Sequence, residues 1–124
     1  MNATQLLIID DEPEVTQYLK TYFEQKGIKT LTAATGEEAL ELITSANPSL
    51  VILDIRLGRG FSGLEVLRRA KRAKSTAEFI VLSAVGDRNM IDMAMGLGAV
   101  SYITKPIVIA DLDRIVLSRL KPSH

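Results

Sequence analysis

Short runs of aliphatic residues recur along the chain and alternate with longer segments of a different pattern. The strongest runs are continuous, which is typical of strands buried on both faces of a parallel sheet. These runs span residues 6–9, 50–53 and 79–82, and weaker strand-like stretches span 28–33 and 99–103. The pattern therefore predicts five β-strands.

The segments between the runs carry apolar residues at helical spacing. One stripe consists of Val15, Tyr18, Leu19, Tyr22 and Phe23, and a second consists of Gly36, Ala39, Leu40 and Ile43. We expect both stripes to face the sheet. Two more helices are predicted near residues 88–97 and 110–120.

Helix start signals support this assignment, since Thr35 and Ser62 are each followed three residues later by a glutamate, Glu38 and Glu65. In this spacing the hydroxyl caps one backbone N–H and the carboxylate reaches back to another, so helices are predicted to begin there. The alternation of strands and helices predicts an α/β fold, in which a doubly wound, five-stranded parallel sheet carries five helices on its two faces.

Length and composition narrow the possible functions. The 124 residues fit one domain, 1–124, and the 15 basic residues balance the 15 acidic ones, which argues against a nucleic-acid-binding module. The absence of cysteine excludes disulfides, thiolate metal sites and a cysteine nucleophile. No apolar run is long enough for a membrane span and the N-terminus lacks a signal-peptide pattern, so we expect a cytoplasmic protein.

Polar residues of different chemistry stand where the predicted strands end. Asp10 and Asp11 follow the first strand, Asp54 the third and Ser83 the fourth, and Lys105 comes just after the fifth. Because open α/β sheets bind ligands outside the carboxyl ends of their strands, we expect these side chains to converge on one edge.

This set of groups indicates phosphoryl chemistry. Carboxylates suit Mg²⁺, which typically also takes waters and a substrate phosphate oxygen. Lys105 would neutralise phosphoryl charge, and the Ser83 hydroxyl could donate to a phosphoryl oxygen. With no cysteine, and no histidine near a strand end, the available nucleophile is a carboxylate, and Asp54 on a central strand is the best candidate for an aspartyl phosphate.

Four segments, "IIDDEPE", "VILDIRL", "VLSA" and "GAVSYITKP", together resemble the receiver domain of two-component response regulators, and the match covers essentially the whole chain. The resemblance implies a flavodoxin-like strand order, 2-1-3-4-5. It also implies a phosphoryl-accepting signalling switch, in which Asp54 takes a phosphoryl group from a histidine kinase or a histidine phosphotransfer protein. Asp10, Asp11, Asp54 and the backbone carbonyl of Arg56 would hold Mg²⁺.

The resemblance assigns further roles near the last two strands. Ser83 occupies the position of the family's threonine or serine, Lys105 that of its lysine, and Tyr102 that of its switch aromatic residue. The resemblance also implies a cis peptide bond between Lys105 and Pro106. After phosphorylation, Ser83 would move toward the phosphoryl group and Tyr102 would turn inward, which remodels the surface of the fourth helix, fifth strand and fifth helix. The domain would promote its own phosphorylation and dephosphorylation, and no other enzyme activity is expected.

The loop after the phosphoacceptor, "DIRLGRGFSGLE", departs from the family pattern because Gly58 replaces a proline and the loop is one residue longer. We expect a more flexible loop, in which Arg56 or Arg59 leans over the site and alters the lifetime of the phosphate.

The fourth helix also departs from the pattern, since it is apolar on several sides. Its predicted core stripe is Ile91, Ala94 and Met95, and its second stripe is Met90, Met93 and Leu97. Val108 and Ile109 stand where the family usually has polar residues. Adaptable apolar residues on this face predict a self-dimer or a protein effector as the partner.

Two other functions use some of the same residues. A Mg²⁺-dependent phosphohydrolase or mutase with an aspartyl phosphate usually has a second aspartate two residues after the nucleophile, where this chain has Arg56. A non-phosphorylated interaction module would have no need of the intact set of strand-end residues.

Overall fold

The computed structural model describes residues 5–58 and 62–120, which form five strands and five helices in alternation. The strands are β1 (Leu6–Ile9), β2 (Thr30–Ala33), β3 (Leu50–Asp54), β4 (Glu78–Ser83) and β5 (Ser101–Thr104). The helices are α1 (Pro13–Gln25), α2 (Gly36–Ala46), α3 (Gly63–Arg72), α4 (Arg88–Gly96) and α5 (Ile109–Arg119). All the predicted elements are present, with boundaries that differ by at most two residues.

The strands form one parallel sheet in the order β2-β1-β3-β4-β5, which confirms the flavodoxin-like fold. The chain runs from β1 outward to β2 and then crosses back over β1 to form β3, so the direction of winding reverses between β1 and β3. In doubly wound sheets a crevice opens at this point, outside the carboxyl ends of the strands. The loops after β1 and β3 therefore frame the candidate site.

Apolar side chains form two core clusters, one on each face of the sheet. One cluster contains residues of α2, α3 and α4, including Ile43 and Leu67. The other contains residues of α1 and α5, including Phe23 and Val116. The three inner strands, β1, β3 and β4, supply alternate residues to the two clusters, which explains why these strands read as continuous aliphatic runs.

The predicted helix caps form at the starts of α2 and α3. Thr35 Oγ1 accepts from the Glu38 amide at 3.2 Å, and the Glu38 carboxylate accepts from the Ala34 amide at 3.0 Å. Ser62 Oγ likewise accepts from the Glu65 amide at 3.2 Å. The expected return contact of Glu65 is wrong, because its carboxylate pairs with two arginines of its own helix.

Two residues assigned to core stripes are exposed instead. Tyr18 on α1 is 56% exposed and Met95 on α4 is 39% exposed. On α1 the contact with the sheet is narrow and is made mainly by Leu19 and Phe23, which leaves Tyr18 at the edge of the stripe. Met95 lies on the solvent side of α4. Among the helices in the described parts of the chain, none is long and apolar enough to cross a membrane.

Candidate functional site

The sheet register brings Asp10 and Asp54 to neighbouring positions. Ile9 of β1 pairs with Leu53 of β3, so the next residue of each strand emerges at the same edge of the sheet. Both aspartates are buried, and each accepts a hydrogen bond at Oδ1 from the amide two residues later, at 3.0 and 2.9 Å. These bonds fix both carboxylates and leave the second oxygen of each for other partners.

Close packing at the start of α3 also holds Asp54 in place. A Cβ at Gly63 would lie 2.1 Å from the Asp54 carbonyl oxygen, so only glycine allows the helix to begin this close to β3. The Gly63 amide donates to the Ile55 carbonyl at 2.9 Å. The position of the candidate nucleophile therefore depends on a glycine that lies outside the strand-end motifs.

Lys105 joins the two aspartates. Its Nζ lies 2.9 Å from Asp54 Oδ2 and 3.2 Å from Asp10 Oδ2, and the Glu12 carboxylate is 3.5 Å away. The Lys105-Pro106 peptide bond is cis, as the resemblance implies. The lysine therefore places one positive charge between carboxylates that come from two different strands.

Asp11 completes a group of three carboxylates. Its Oδ2 accepts from the Gly58 amide at 2.8 Å, which ties it to the loop after β3. Within the residues that the structure describes, Asp10, Asp11 and Asp54 each offer one oxygen, and these oxygens lie within 4.8 Å of one another. Octahedral Mg²⁺ has oxygen ligands at about 2.1 Å, which separates those ligands by roughly 3–4 Å. The spacing and the oxygen-only donors therefore fit such an ion.

The electrostatics of the group favour a bound cation. Burial raises the pKa of Asp10, and the negative charge of Asp54 adds to this effect, whereas the Glu12 amide and Lys105 oppose it. Burial acts to lower the pKa of Lys105, but its hydrogen bond to Asp54 and the charges of both aspartates raise that pKa above its usual range. Lys105 thus remains cationic, and Asp10 is a carboxylate whose ionised form would be stabilised by a metal ion.

Ser83 and Tyr102 lie on β4 and β5, the two strands that follow β3 in the sheet. Ser83 is buried at the end of β4, and its Oγ donates to the Ile103 carbonyl at 3.5 Å, the limit of a hydrogen bond. Tyr102 is 48% exposed. A cavity of about 360 Å³ lies between Tyr102 and the loop that follows β4. The Tyr102 side chain therefore has space into which it can move.

The Arg56 side chain pairs with Asp87, a residue that the sequence reasoning missed. Nε and Nη2 of Arg56 lie 3.0 and 2.6 Å from Asp87 Oδ1, and the Ala84 amide donates to Asp87 Oδ2 at 2.9 Å. The hydrogen bond from Arg56 makes the largest contribution to lowering the pKa of Asp87 below its usual value, and the bond from the Ala84 amide adds to it. An acid directly before a helix is normally interpreted as a cap, so its position gave no sign of this role. Arg59 lies outside the described residues.

The predicted apolar face of α4 and α5 is smaller than the sequence suggests. Met93 is 49% exposed, and Val108 is also exposed. Met90 and Leu97 pack against one core cluster, and Ile109 packs against the other. The exposed apolar side chains in this region are therefore Met93, Met95, Tyr102 and Val108.

Known proteins with similar sequences include a bacterial phosphotransferase and a response regulator. Sporulation initiation phosphotransferase F of Bacillus subtilis is 34% identical over 115 residues, which cover 93% of this chain and 90% of that protein. Response regulator SaeR of Staphylococcus aureus is 35% identical over 124 residues, which cover 98% of this chain and 54% of SaeR. The chain thus spans about half the length of SaeR.

Solved structures and a family model agree with these relatives. The receiver domain of NtrX from Brucella abortus superposes with a TM-score of 0.86 at 28% identity, covering 96% of this chain and 100% of that one. The receiver domain of the Francisella response regulator 1452 gives a TM-score of 0.84 at 30% identity, covering 93% and 94%. The model of the response regulator receiver domain matches residues 6–117. The chain therefore belongs to the response regulator receiver domains, the phosphoryl-accepting signalling switches of two-component systems.

Proposed function

We propose that Asp54 is the phosphoacceptor of this receiver domain. The observation that carries the proposal is its position, because Asp54 is buried at the end of the central strand β3 with Lys105 2.9 Å from its Oδ2. Asp10 and Asp11 lie on its β1 side, and Ser83 ends β4 on its other side. A phosphoryl group on Asp54 would thus meet metal ligands, a cation and a hydroxyl donor at once.

The metal site supports the same proposal. The carboxylates of Asp10, Asp11 and Asp54 and the backbone carbonyl of Arg56 would hold Mg²⁺. When bound, the ion would neutralise negative charge on the phosphoryl oxygens. Asp10 and Asp11 are already oriented by hydrogen bonds to backbone amides, so little rearrangement of these carboxylates is required.

In the proposed reaction, a carboxylate oxygen of Asp54 attacks the phosphorus atom of a phosphohistidine. The new O–P bond forms as the N–P bond breaks, and the electron pair of that bond remains on the imidazole nitrogen. Lys105 stabilises the charge on the oxygens of the moving group. Water later attacks the phosphorus of the acyl phosphate, the O–P bond to Asp54 breaks, and inorganic phosphate leaves as the carboxylate is restored. The domain thus promotes both its own phosphorylation and its dephosphorylation.

The positions of Ser83 and Tyr102 support an output for the switch. Ser83 Oγ holds only a long contact to the Ile103 carbonyl and would exchange it for a phosphoryl oxygen. Tyr102 would then turn into the adjacent cavity. The resulting change in the surface of α4, β5 and α5 would be read by a protein effector or by a second copy of the chain.

A protein phosphodonor, a histidine kinase or a histidine phosphotransfer protein, fits the surroundings of the site. A cavity of about 350 Å³ beside Lys105 is lined by apolar side chains that include Val15, Tyr18 and Ile107. Apolar surface next to a charged centre suits a protein partner, whereas the zero net charge disfavours nucleic acid. We place this exchange in the cytoplasm, where ATP charges the donor.

The test uses Mg²⁺ and acetyl phosphate, followed by intact mass measurement. The wild-type protein should gain the mass of one phosphoryl group, and so should Asp92→Ala, which removes an exposed aspartate of α4. Asp54→Ala should gain none, and equal labelling of this variant would contradict the proposal. Repeated release of phosphate from an added phosphate ester would instead favour a phosphohydrolase. Such enzymes usually have a second aspartate two residues after the nucleophile, where this chain has Arg56.

A further inference from the structure

Asp87 is a buried carboxylate that the proposed phosphoryl transfer does not use. It directly precedes α4, yet its side chain makes no capping hydrogen bond to that helix. Its oxygens accept instead from the Arg56 guanidinium, at 3.0 and 2.6 Å, and from the Ala84 amide, at 2.9 Å. One carboxylate therefore connects the loop after β3 to the loop after β4.

Arg56 lies between two anionic groups. Its backbone amide donates to Asp54 Oδ1 at 2.9 Å, while its guanidinium binds Asp87. The Arg56 side chain is 64% exposed, so the ion pair rather than packing fixes its direction. A guanidinium binds phosphate oxygens bidentately, and a phosphoryl group carries about −1.5 to −2 charges. A phosphoryl group on Asp54 would therefore compete with Asp87 for Arg56.

The second partner of Asp87 restrains Ser83. Ala84 follows Ser83 directly, and its amide is held by Asp87 Oδ2. The backbone of Ser83 cannot shift toward Asp54 without moving Ala84 as well, because one peptide unit joins them. Gly86, in the same loop, has a φ of 93°, a left-handed conformation that is unstrained in glycine. Backbone hydrogen bonds also hold this segment, from the Asp87 amide to the Ala84 carbonyl at 3.2 Å and from the Lys105 amide to the Ser83 carbonyl at 2.7 Å. Asp87 adds a side-chain restraint to the loop, next to a residue of wide backbone freedom.

We propose that Arg56 and Asp87 form a latch that holds the loop after β4 in its unphosphorylated position and opens when Arg56 turns to a phosphoryl group on Asp54. This inference rests on the proposed function, since the trigger is phosphorylation of Asp54. Once Arg56 has turned away, the Asp87 side chain is free to move, and its hydrogen bond with the Ala84 amide weakens. Ser83 can then approach the phosphoryl group, and the N-terminal end of α4 becomes free to move. Asp87 is thus a positioning residue, which acts through Arg56 and Ala84.

The test is hydrogen exchange, measured by mass spectrometry on peptides that cover residues 84–96 of the full chain. Each protein is compared with Mg²⁺ alone and with Mg²⁺ plus beryllofluoride, an analogue of the phosphoryl group. In the wild type, beryllofluoride should accelerate exchange in this segment. Arg56→Ala and Asp87→Asn should exchange roughly twofold to tenfold faster before it is added, because local opening sets the exchange rate. Beryllofluoride should then add little further change in either variant.

Two further variants separate the latch from a general loss of stability. Arg56→Lys keeps a cation and should recover part of the protection in Mg²⁺ alone. Arg114→Ala breaks an exposed ion pair with Asp111 on α5 and should behave as wild type. Wild-type exchange in unliganded Arg56→Ala, or a full beryllofluoride response in both latch variants, would overturn the proposal.

Labelling of the wild type by acetyl phosphate distinguishes failure of the latch from failure of the acceptor role. If the wild type is labelled but the latch variants exchange as wild type does, the latch is wrong and the acceptor role stands. If the wild type is not labelled at all, the acceptor role fails, and the trigger of the latch fails with it.

Discussion

The backbone amide of Gly58 donates to the Asp11 carboxylate across 2.8 Å, although the two residues are 47 positions apart in the chain. A proline at position 58 would have no N–H to donate. The glycine that distinguishes this loop therefore orients a candidate metal ligand. A Cβ at position 58 would lie 2.5 Å from Asp11 Oδ2, so any larger residue must displace that carboxylate.

Gly58→Ala should therefore weaken Mg²⁺ binding by roughly tenfold, the scale on which groups that orient metal ligands affect affinity. Isothermal titration calorimetry measures the change directly. Gly96→Ala is the matched control, because a Cβ at Gly96 meets nothing within 4 Å. Equal Mg²⁺ affinities for the two variants would show that Asp11 does not need this orientation.

Asp10→Asn should stabilise the metal-free protein at neutral pH, with a rise in Tm of roughly 3–6 °C. Burial, followed by the charge of Asp54, raises the pKa of Asp10, so the ionised form costs the folded state free energy. This cost is present above the raised pKa and disappears as the pH falls through it. Thermal melting in EDTA should therefore show a difference between variant and wild type that shrinks toward acid pH.

Added Mg²⁺ should raise the Tm of the wild type, since the ion stabilises its Asp10 carboxylate, and should therefore reduce the difference in Tm between variant and wild type. Asp92→Asn, an exposed carboxyl on α4, serves as the control. A lower Tm for Asp10→Asn than for the wild type in EDTA would mean that the contact with Lys105 outweighs the burial cost.

Much of this site was predictable because its chemistry lies at the ends of buried strands. The continuous runs before Asp10 and Asp54 fix where each strand stops, and a parallel sheet brings those ends to one edge. The role of Asp87 was not predictable in this way. It stands in a loop with no periodic pattern, and its partner Arg56 is 31 residues away, so only the folded backbone reveals the pair.

The same limit explains the misplacement of Tyr18 and Met95. An apolar residue at helical spacing has the right direction for the core, but the sequence does not give the width of the contact between helix and sheet. In α4 the narrow contact is satisfied by Ile91 and Ala94, with Met90 and Leu97 at its edges. The remaining methionines are left on the surface.

Arg56→Ala should shorten the lifetime of the acyl phosphate by roughly threefold to tenfold, because a guanidinium bound to the phosphoryl oxygens hinders attack by water. Loss of label after removal of acetyl phosphate, followed by intact mass, gives this rate. Arg56→Lys should lie between the variant and the wild type. Identical rates for all three proteins would show that the Arg56 side chain does not contact the phosphoryl group.

Met93→Lys should reduce self-association of the beryllofluoride-bound protein, since Met93 is the most exposed side chain of α4 among the predicted apolar residues. Burying a lysine charge in an apolar contact is unfavourable unless it finds a partner. Analytical ultracentrifugation with and without beryllofluoride measures the effect. Ser45→Lys on α2 adds the same charge to an exposed position elsewhere. If Met93→Lys associates as the wild type does, α4 does not form the contact between copies.

We expect the phosphoryl group on Asp54, and chemical trapping locates that group in the chain. Protein labelled with acetyl phosphate and Mg²⁺ is reduced with borohydride, which converts an aspartyl phosphate into homoserine, and is then digested and sequenced by mass spectrometry. Homoserine should appear at position 54 and should require both Mg²⁺ and the phosphodonor. Homoserine at position 10 or 11 instead, or at no aspartate in a protein that has gained phosphoryl mass, would show that Asp54 is not the phosphoacceptor.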